Sequence, residues 1–77
     1  MPDVLVLGPG CQKCQTLYER VKQATQEIGL DCEIVKVTDI NAIVGFGVLS
    51  TPALVVDGVV KMSGRVPTVA QLKELLA

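Results

Sequence analysis

The stretch V-L-V-L-G-P-G-C-Q-K-C-Q-T-L-Y-E-R-V, residues 4 to 21, decides how the rest of the chain is read. Val4–Leu7 is a continuous apolar run, stopped by Gly8-Pro9-Gly10. Bounded in this way it reads as a strand buried on both faces. Directly after it, Cys14, Leu17, Val21, Ala24 and Ile28 recur at intervals of three or four, flanked by Tyr18 and Thr25. That spacing lays one apolar stripe along a helix of about four turns. Gly29 follows the last apolar position, where a left-handed residue commonly closes a helix. Cys11 and Cys14 sit at the junction of the strand and the helix.

Outward from this unit, Cys32–Val37 reads as a second strand, with Ile34, Val35 and Val37 apolar. One helix between two strands implies a right-handed crossover and a parallel pair. Asp39 is placed to cap a short helix over Ile40–Val44, which Gly45 and Gly47 end. Val48–Thr51 leads into Pro52. Asp57-Gly58 between Ala53–Val56 and Val59–Met62 is the signature of a two-residue type I′ hairpin. Gly64 ends the second arm. Thr68 and Gln71 stand as a capping box ahead of a last helix with Val69, Leu72, Leu75 and Leu76 on its apolar face. The order β-α-β-α-β-β-α makes a two- or three-layered α/β domain, expected to be a single unit over residues 1–77.

Bulk properties narrow the function. A chain of 77 residues buries only about 60% of its unfolded surface. A hydrophobic content of 49% and a mean hydropathy of +0.48 compensate in part. No apolar run approaches the roughly 20 residues of a membrane helix. No basic region precedes a long apolar stretch at the amino end, so no signal peptide is read, and a cytoplasmic protein is expected. Seven basic and eight acidic residues are interspersed and sum to −1. That pattern argues against nucleic acid and anionic membranes as partners. The absence of histidine excludes Cys-His and Ser-His catalysis and histidine-based metal sites. Three cysteines suit an intracellular chain with one C-x-x-C pair and a spare thiol better than a secreted disulfide scaffold.

The pair itself admits several readings. A helix amino end offers unsatisfied N–H groups and partial positive charge, so a thiolate at Cys11 is favoured, and Lys13 adds a nearby cation. Residues three apart are neighbours on a helix face, so the two sulfurs are able to bond. Cys14 lies on the apolar stripe. Cys11 is then the exposed nucleophile and Cys14 the shielded resolving thiol of a disulfide-exchange cycle. The plain alternative is two core cysteines. Another is a soft-metal carrier, because two thiolates suit Cu(I), whereas zinc would need further ligands. Carriers of that kind end on a strand, and this chain ends on a helix. A third is a module that docks extended peptides without turnover.

With this element order, the chain resembles the thioredoxin–glutaredoxin superfamily, and most of all its small, glutaredoxin-sized members with a redox-active disulfide. The likeness runs from Val4 to Leu76. It is carried by Gly10-Cys11-Gln12-Lys13-Cys14 between strand and helix, by Phe46-Gly47-Val48-Leu49-Ser50-Thr51-Pro52-Ala53, and by Val60–Gly64 followed by Gln71–Leu76. The resemblance implies a four-stranded mixed sheet in the order 2-1-3-4 with three helices. It implies a Cys11–Cys14 redox disulfide as the working group, with no other cofactor and no resident metal. It implies a cis Thr51–Pro52 bond beside Cys11, the Thr51 backbone pairing with a bound substrate chain. Gly64 ends near the same place, where the lack of a side chain admits a partner backbone. Gly10, Gln12 and Lys13 complete the expected substrate-binding set. The implied partners are disulfide-bearing proteins or small disulfides and a reductase, around a monomer.

Two departures from the resembled pattern bear on chemistry. Gln12-Lys13 replaces the Gly-Pro between the cysteines of typical thioredoxins, and no tryptophan precedes them. Val4–Leu7 carries no acid, so the buried aspartate that those proteins hold under the second cysteine has no counterpart. Cys32, at the start of the second strand, falls at the far end of a parallel pair. Four to six residues at about 3.3 Å each put it on the order of 13–20 Å from Cys11, too far to pair. It is expected to be a small buried hydrophobe.

Overall fold

The structure, a computed structural model, describes residues 3–10 and 12–76. Its elements are β1 (Val4–Leu7), α1 (Gln12–Glu27), β2 (Ile34–Val37), α2 (Ile40–Gly45), β3 (Ala53–Val56), β4 (Val59–Ser63) and α3 (Val69–Leu76). The four strands form one sheet in the order β2-β1-β3-β4. β2 is parallel to β1, β3 antiparallel to β1, and β4 antiparallel to β3. The α/β class, the mixed sheet and its 2-1-3-4 order are those expected.

Alternation along the central strands builds three layers. Val4, Val6, Leu54 and Val56 face one way and pack with Leu17, Val21 and Ala24 of α1 and Leu72 and Leu76 of α3. Leu7, Ala53 and Val55 face the other way and pack with Ile43 of α2 and Val48. Both faces of β1 and β3 are therefore covered, which is why these two strands read as unbroken apolar runs. Leu17, Leu54 and Leu72 are fully buried. Each contributes about 1.5–3 kcal/mol by leaving water.

Local chemistry ends the elements. α1 closes as a Schellman motif: Leu30 N–H donates to Thr25 C=O at 2.9 Å, Gly29 N–H donates to Gln26 C=O at 3.3 Å, and Gly29 adopts φ +69°. The helix stops at Glu27, so Ile28 is the capping residue and is exposed, not the last member of the buried stripe. Asp39 caps α2, its Oδ1 accepting from Asn41 N–H at 3.1 Å. Thr68 and Gln71 exchange bonds as a capping box, Gln71 N–H to Thr68 Oγ1 at 3.2 Å and Thr68 N–H to Gln71 Oε1 at 3.0 Å. Asp57 and Gly58 take φ +52° and +80°, as a type I′ turn requires.

The second strand is shorter than the sequence suggests. It begins at Ile34, not Cys32, because its partner β1 begins at Val4 and the register pairs Val4 with Ile34. Cys32 and Glu33 have no opposite number on β1. β2 is also an edge strand, and Val35 is exposed.

Candidate active site

Cys14 lies in the first turn of α1 and is buried, with 5% of its surface exposed. It faces the end of β1. A Cβ placed on Gly8 would overlap Cys14 Sγ and lie 3.0 Å from Cys14 Cβ. The same point is 4.0 Å from Thr51 Cβ. Gly8 is held in register by its own N–H, which donates to Val37 C=O at 2.9 Å. The strand, the helix start and the segment entering β3 thus meet at a position that has no room for a side chain.

β3 brings in the third component. Leu7 pairs with Ala53, so the residues before β3 lie alongside those after β1. The Thr51–Pro52 peptide bond is cis. Pro52 is fully buried and its C=O accepts from Gly64 N–H at 2.9 Å. Thr51 is half-buried, and among the described residues no hydrogen bond engages its backbone N–H or C=O. Gly64 has φ +78°, and a Cβ there would lie 3.0 Å from Ser50 Cβ, so it presses against the lead into the cis bond.

These contacts join Cys14, Thr51, Pro52 and Gly64 at one end of the sheet. Gln12 and Lys13 are exposed in the first turn of α1. Gly10 and Gln12 line an open groove along the outer side of that helix, with Gln15, Thr16, Glu19 and Arg20. Cys11 lies outside the described residues. Cys32 is half-buried, packs against the main core and lies before β2, at the opposite end of the sheet. Burial, then the neighbouring charge of Asp31, pushes its thiol pKa up. Among the described residues, no group of three or more His, Cys, Asp or Glu side chains is placed to hold a metal ion. No described helix is long and apolar enough to cross a membrane.

Two features at this end are not apparent in the sequence reading. Gly8 reads as a strand stop, yet its role is close approach to a thiol. A cavity of about 30 Å³ beside Cys14 is lined by Val6, Gly8, Gly10, Cys14, Gln15, Lys36 and Thr38. The signal for Lys36 is faint: a single cation between Val35 and Val37 in an apolar strand.

A β-α-β-α-β-β-α chain with a thiol in the first turn of α1 and a cis proline against the same strand end defines a thioredoxin-like protein. Comparison with known proteins agrees. Residues 2–77 match the thioredoxin domain family. The chain is 45% identical over 76 residues to a thioredoxin of Methanocaldococcus jannaschii, covering 99% of this chain and 87% of that one. It is 34% identical over 77 residues to a thioredoxin of Methanothermobacter thermautotrophicus, covering both in full. The chain belongs to the thioredoxin family.

Proposed function

We infer that the protein is a thiol–disulfide oxidoreductase that works through a Cys11–Cys14 dithiol/disulfide pair. Cys11 attacks a client disulfide, and Cys14 resolves the mixed disulfide. Thr51 presents its backbone to the client chain, Pro52 fixes that presentation, and Gly64 leaves room for the partner backbone. Clients are disulfide-bearing proteins or small disulfides, and a separate reductase restores the dithiol. The setting is the cytoplasm, where such pairs are kept reduced.

The observation that carries this reading is the placement of Cys14. It is a shielded thiol one turn into a helix, against Gly8 and close to Thr51, whose backbone is free to pair. A core cysteine would not call for an unpaired backbone segment at its side. Family membership supports the same class of chemistry.

The roles separate in two variants. Cys11→Ser is expected to abolish disulfide reduction. Cys14→Ser is expected to accumulate a mixed disulfide with the client, visible as an added mass that a reductant removes. Turnover of Cys14→Ser at the parent rate would overturn the assignment.

A further inference from the structure

The charges of this chain are sorted along the strand direction. β1 ends at Leu7 beside Ala53, the start of β3, and β4 ends at Ser63 beside the same residue. β2 ends at Val37, level with Leu7. α1, α2 and α3 therefore all begin at the Cys14 end of the sheet. The connections at that end hold one acid, Asp39, whose Oδ1 is taken up by Asn41 N–H. They also hold Arg65, and Lys13 stands in the first turn of α1. At the opposite end Asp3 precedes β1, Asp31 and Glu33 precede β2, and Asp57 lies in the hairpin turn. No lysine or arginine stands between Ile28 and Glu33 or in that turn, and Glu27 is matched by Lys73 at 2.9 Å. The helices add to the contrast, because α1 and α3 point their partial positive ends toward the Cys14 end. A chain with a net charge of −1 thus carries a cationic face around its candidate site.

Two cations stand at the rim of that site. Gly64 N–H donates to Pro52 C=O at 2.9 Å, and Arg65 follows it directly. Arg20 Nη1 donates to Pro67 C=O at 3.1 Å, so the loop that carries Arg65 is tied to the cis-proline segment on one side and to α1 on the other. Arg65 comes from the β4 side of Thr51. Lys13 adjoins Cys14, which meets Thr51 from the β1 side. Lys13 and Arg65 are both exposed, and among the described residues neither is paired with a carboxylate.

We propose that Lys13 and Arg65 make this end a docking surface for anionic clients: disulfides flanked by carboxylates, as in an acidic peptide segment. The proposal rests on the exchange reading above. The Cys11 thiolate attacks one client sulfur. The Cys11–client bond forms, the client disulfide breaks, and the second client sulfur leaves as a thiolate. Cys14 gives its proton to solvent and attacks Cys11, which releases the first client sulfur. Both client thiolates take protons from water. The cysteine pair loses two electrons and the client disulfide gains them. An anionic client is repelled by the Cys11 thiolate as it arrives, and more negative charge gathers on its sulfurs as bonds break. Cations on both sides of the approach offset that repulsion. The carboxylates at the opposite end turn the wrong face of the protein away, so encounters are oriented.

The test measures how fast the reduced protein is oxidised by three small disulfides: dithiodipropionate with two carboxylates, hydroxyethyl disulfide with no charge, and cystamine with two ammonium groups. Each rate is divided by that of free mercaptoethanol, whose thiolate has no cation beside it, under the same conditions. Salt at about 10 mM leaves a screening length of ~30 Å, and salt at about 1 M cuts it to ~3 Å. The expected corrected rate at low salt is about 3- to 10-fold higher for the dicarboxylate than for the diamine, falling to near equality at high salt. Arg65→Gln and Lys13→Gln each lower the preference about 2-fold, and the double variant removes it. Arg65→Lys keeps it, and Glu33→Gln at the opposite end changes it less than either single variant. Lys13→Gln is expected to slow all three disulfides through Cys11, so the preference is read as a ratio within each protein, with folding checked by thermal melts. Equal corrected rates at low salt would overturn the proposal, as would a preference that survives the double variant or high salt. In each of these cases disulfides are still reduced and the exchange reading stands. That reading fails separately if the parent reduces none of the three.

Discussion

The two ends of the sheet are finished differently. At one end the chain reverses through Asp57-Gly58, and β1 is clipped to the hairpin on both sides. Asp57 N–H donates to Asp3 C=O at 2.8 Å, and Asp3 N–H donates to Asp57 Oδ1 at 2.8 Å. These two bonds tie the turn back to the residue before β1. At the other end β1 runs into Gly8-Pro9-Gly10, and β3 begins after a cis peptide whose Thr51 backbone is left unpaired among the described residues. Cys14 is packed beneath that opening. Cys32 belongs to the closed end, where burial and Asp31 disfavour its thiolate. The same residue type thus stands in two different settings. A thiol beside backbone groups with spare bonding capacity is equipped to meet another chain, whereas one beside a carboxylate and a core is not.

The sharpest way to break this comparison is Gly8→Val. Its side chain would enter the space of Cys14 Sγ and approach Thr51. The expected outcome is a loss of about 1–3 kcal/mol in urea unfolding, as for other overpacked sites. Disulfide reduction should fall more than that loss of stability explains. Parent-like activity would show that the close approach at Gly8 is not needed.

A smaller effect is expected at the closed end. Asp57→Ala removes the bond to Asp3 N–H and leaves alanine at φ +52°. The cost is about 1 kcal/mol in the same unfolding measurement. The rate of client reduction should stay at the parent value, because nothing in the turn reaches Cys14. A large loss of activity at unchanged stability would mean that the two ends are coupled.

The smallest effect concerns Cys32. Its raised pKa has a definite sign. Below the ordinary thiol range the folded and unfolded chains both keep the proton, and pH has no effect through this group. Above it the unfolded chain deprotonates first, so stability falls as pH rises toward and through the raised value. Alkylation of Cys32 should lag behind that of a free thiol and recover only in alkaline solution. Cys32→Ser should leave exchange untouched and flatten the alkaline slope of stability. Fast labelling of Cys32 at neutral pH would contradict its place at the closed end.

What the sequence made legible follows the range of the interactions. The Asp57-Gly58 turn, the Thr68–Gln71 box, the Asp39 cap and Gly29 are decided within a few residues, and each is found where expected. The period-two alternation of β1 and β3 places Val6 and Leu7 on opposite layers in the same local way. β2 starts later than its apolar pattern suggests, because a strand exists only where a ladder partner stands opposite, and β1 offers none to Cys32. Ile28 falls outside the buried stripe because the Schellman bonds, not the apolar pattern, stop α1. The placements of Gly8 and Lys36 do not stand out in the sequence for a related reason. One matters through what α1 sets against it, the other through a helix face met across the sheet, and neither pairing has a sequence interval to announce it.

The central claim is that Cys11 and Cys14 form a reversible redox pair. The most direct measurement equilibrates the Cys32→Ser protein in a series of thiol–disulfide buffers, alkylates the remaining thiols and reads the masses. A parallel series contains Cu(I) or Zn²⁺. The account predicts that both alkylation sites are lost together, in one reversible two-electron transition, and regained on reduction. Thiols that stay reducing across the series, yet are protected one-to-one by metal, would contradict it and make the protein a metal carrier.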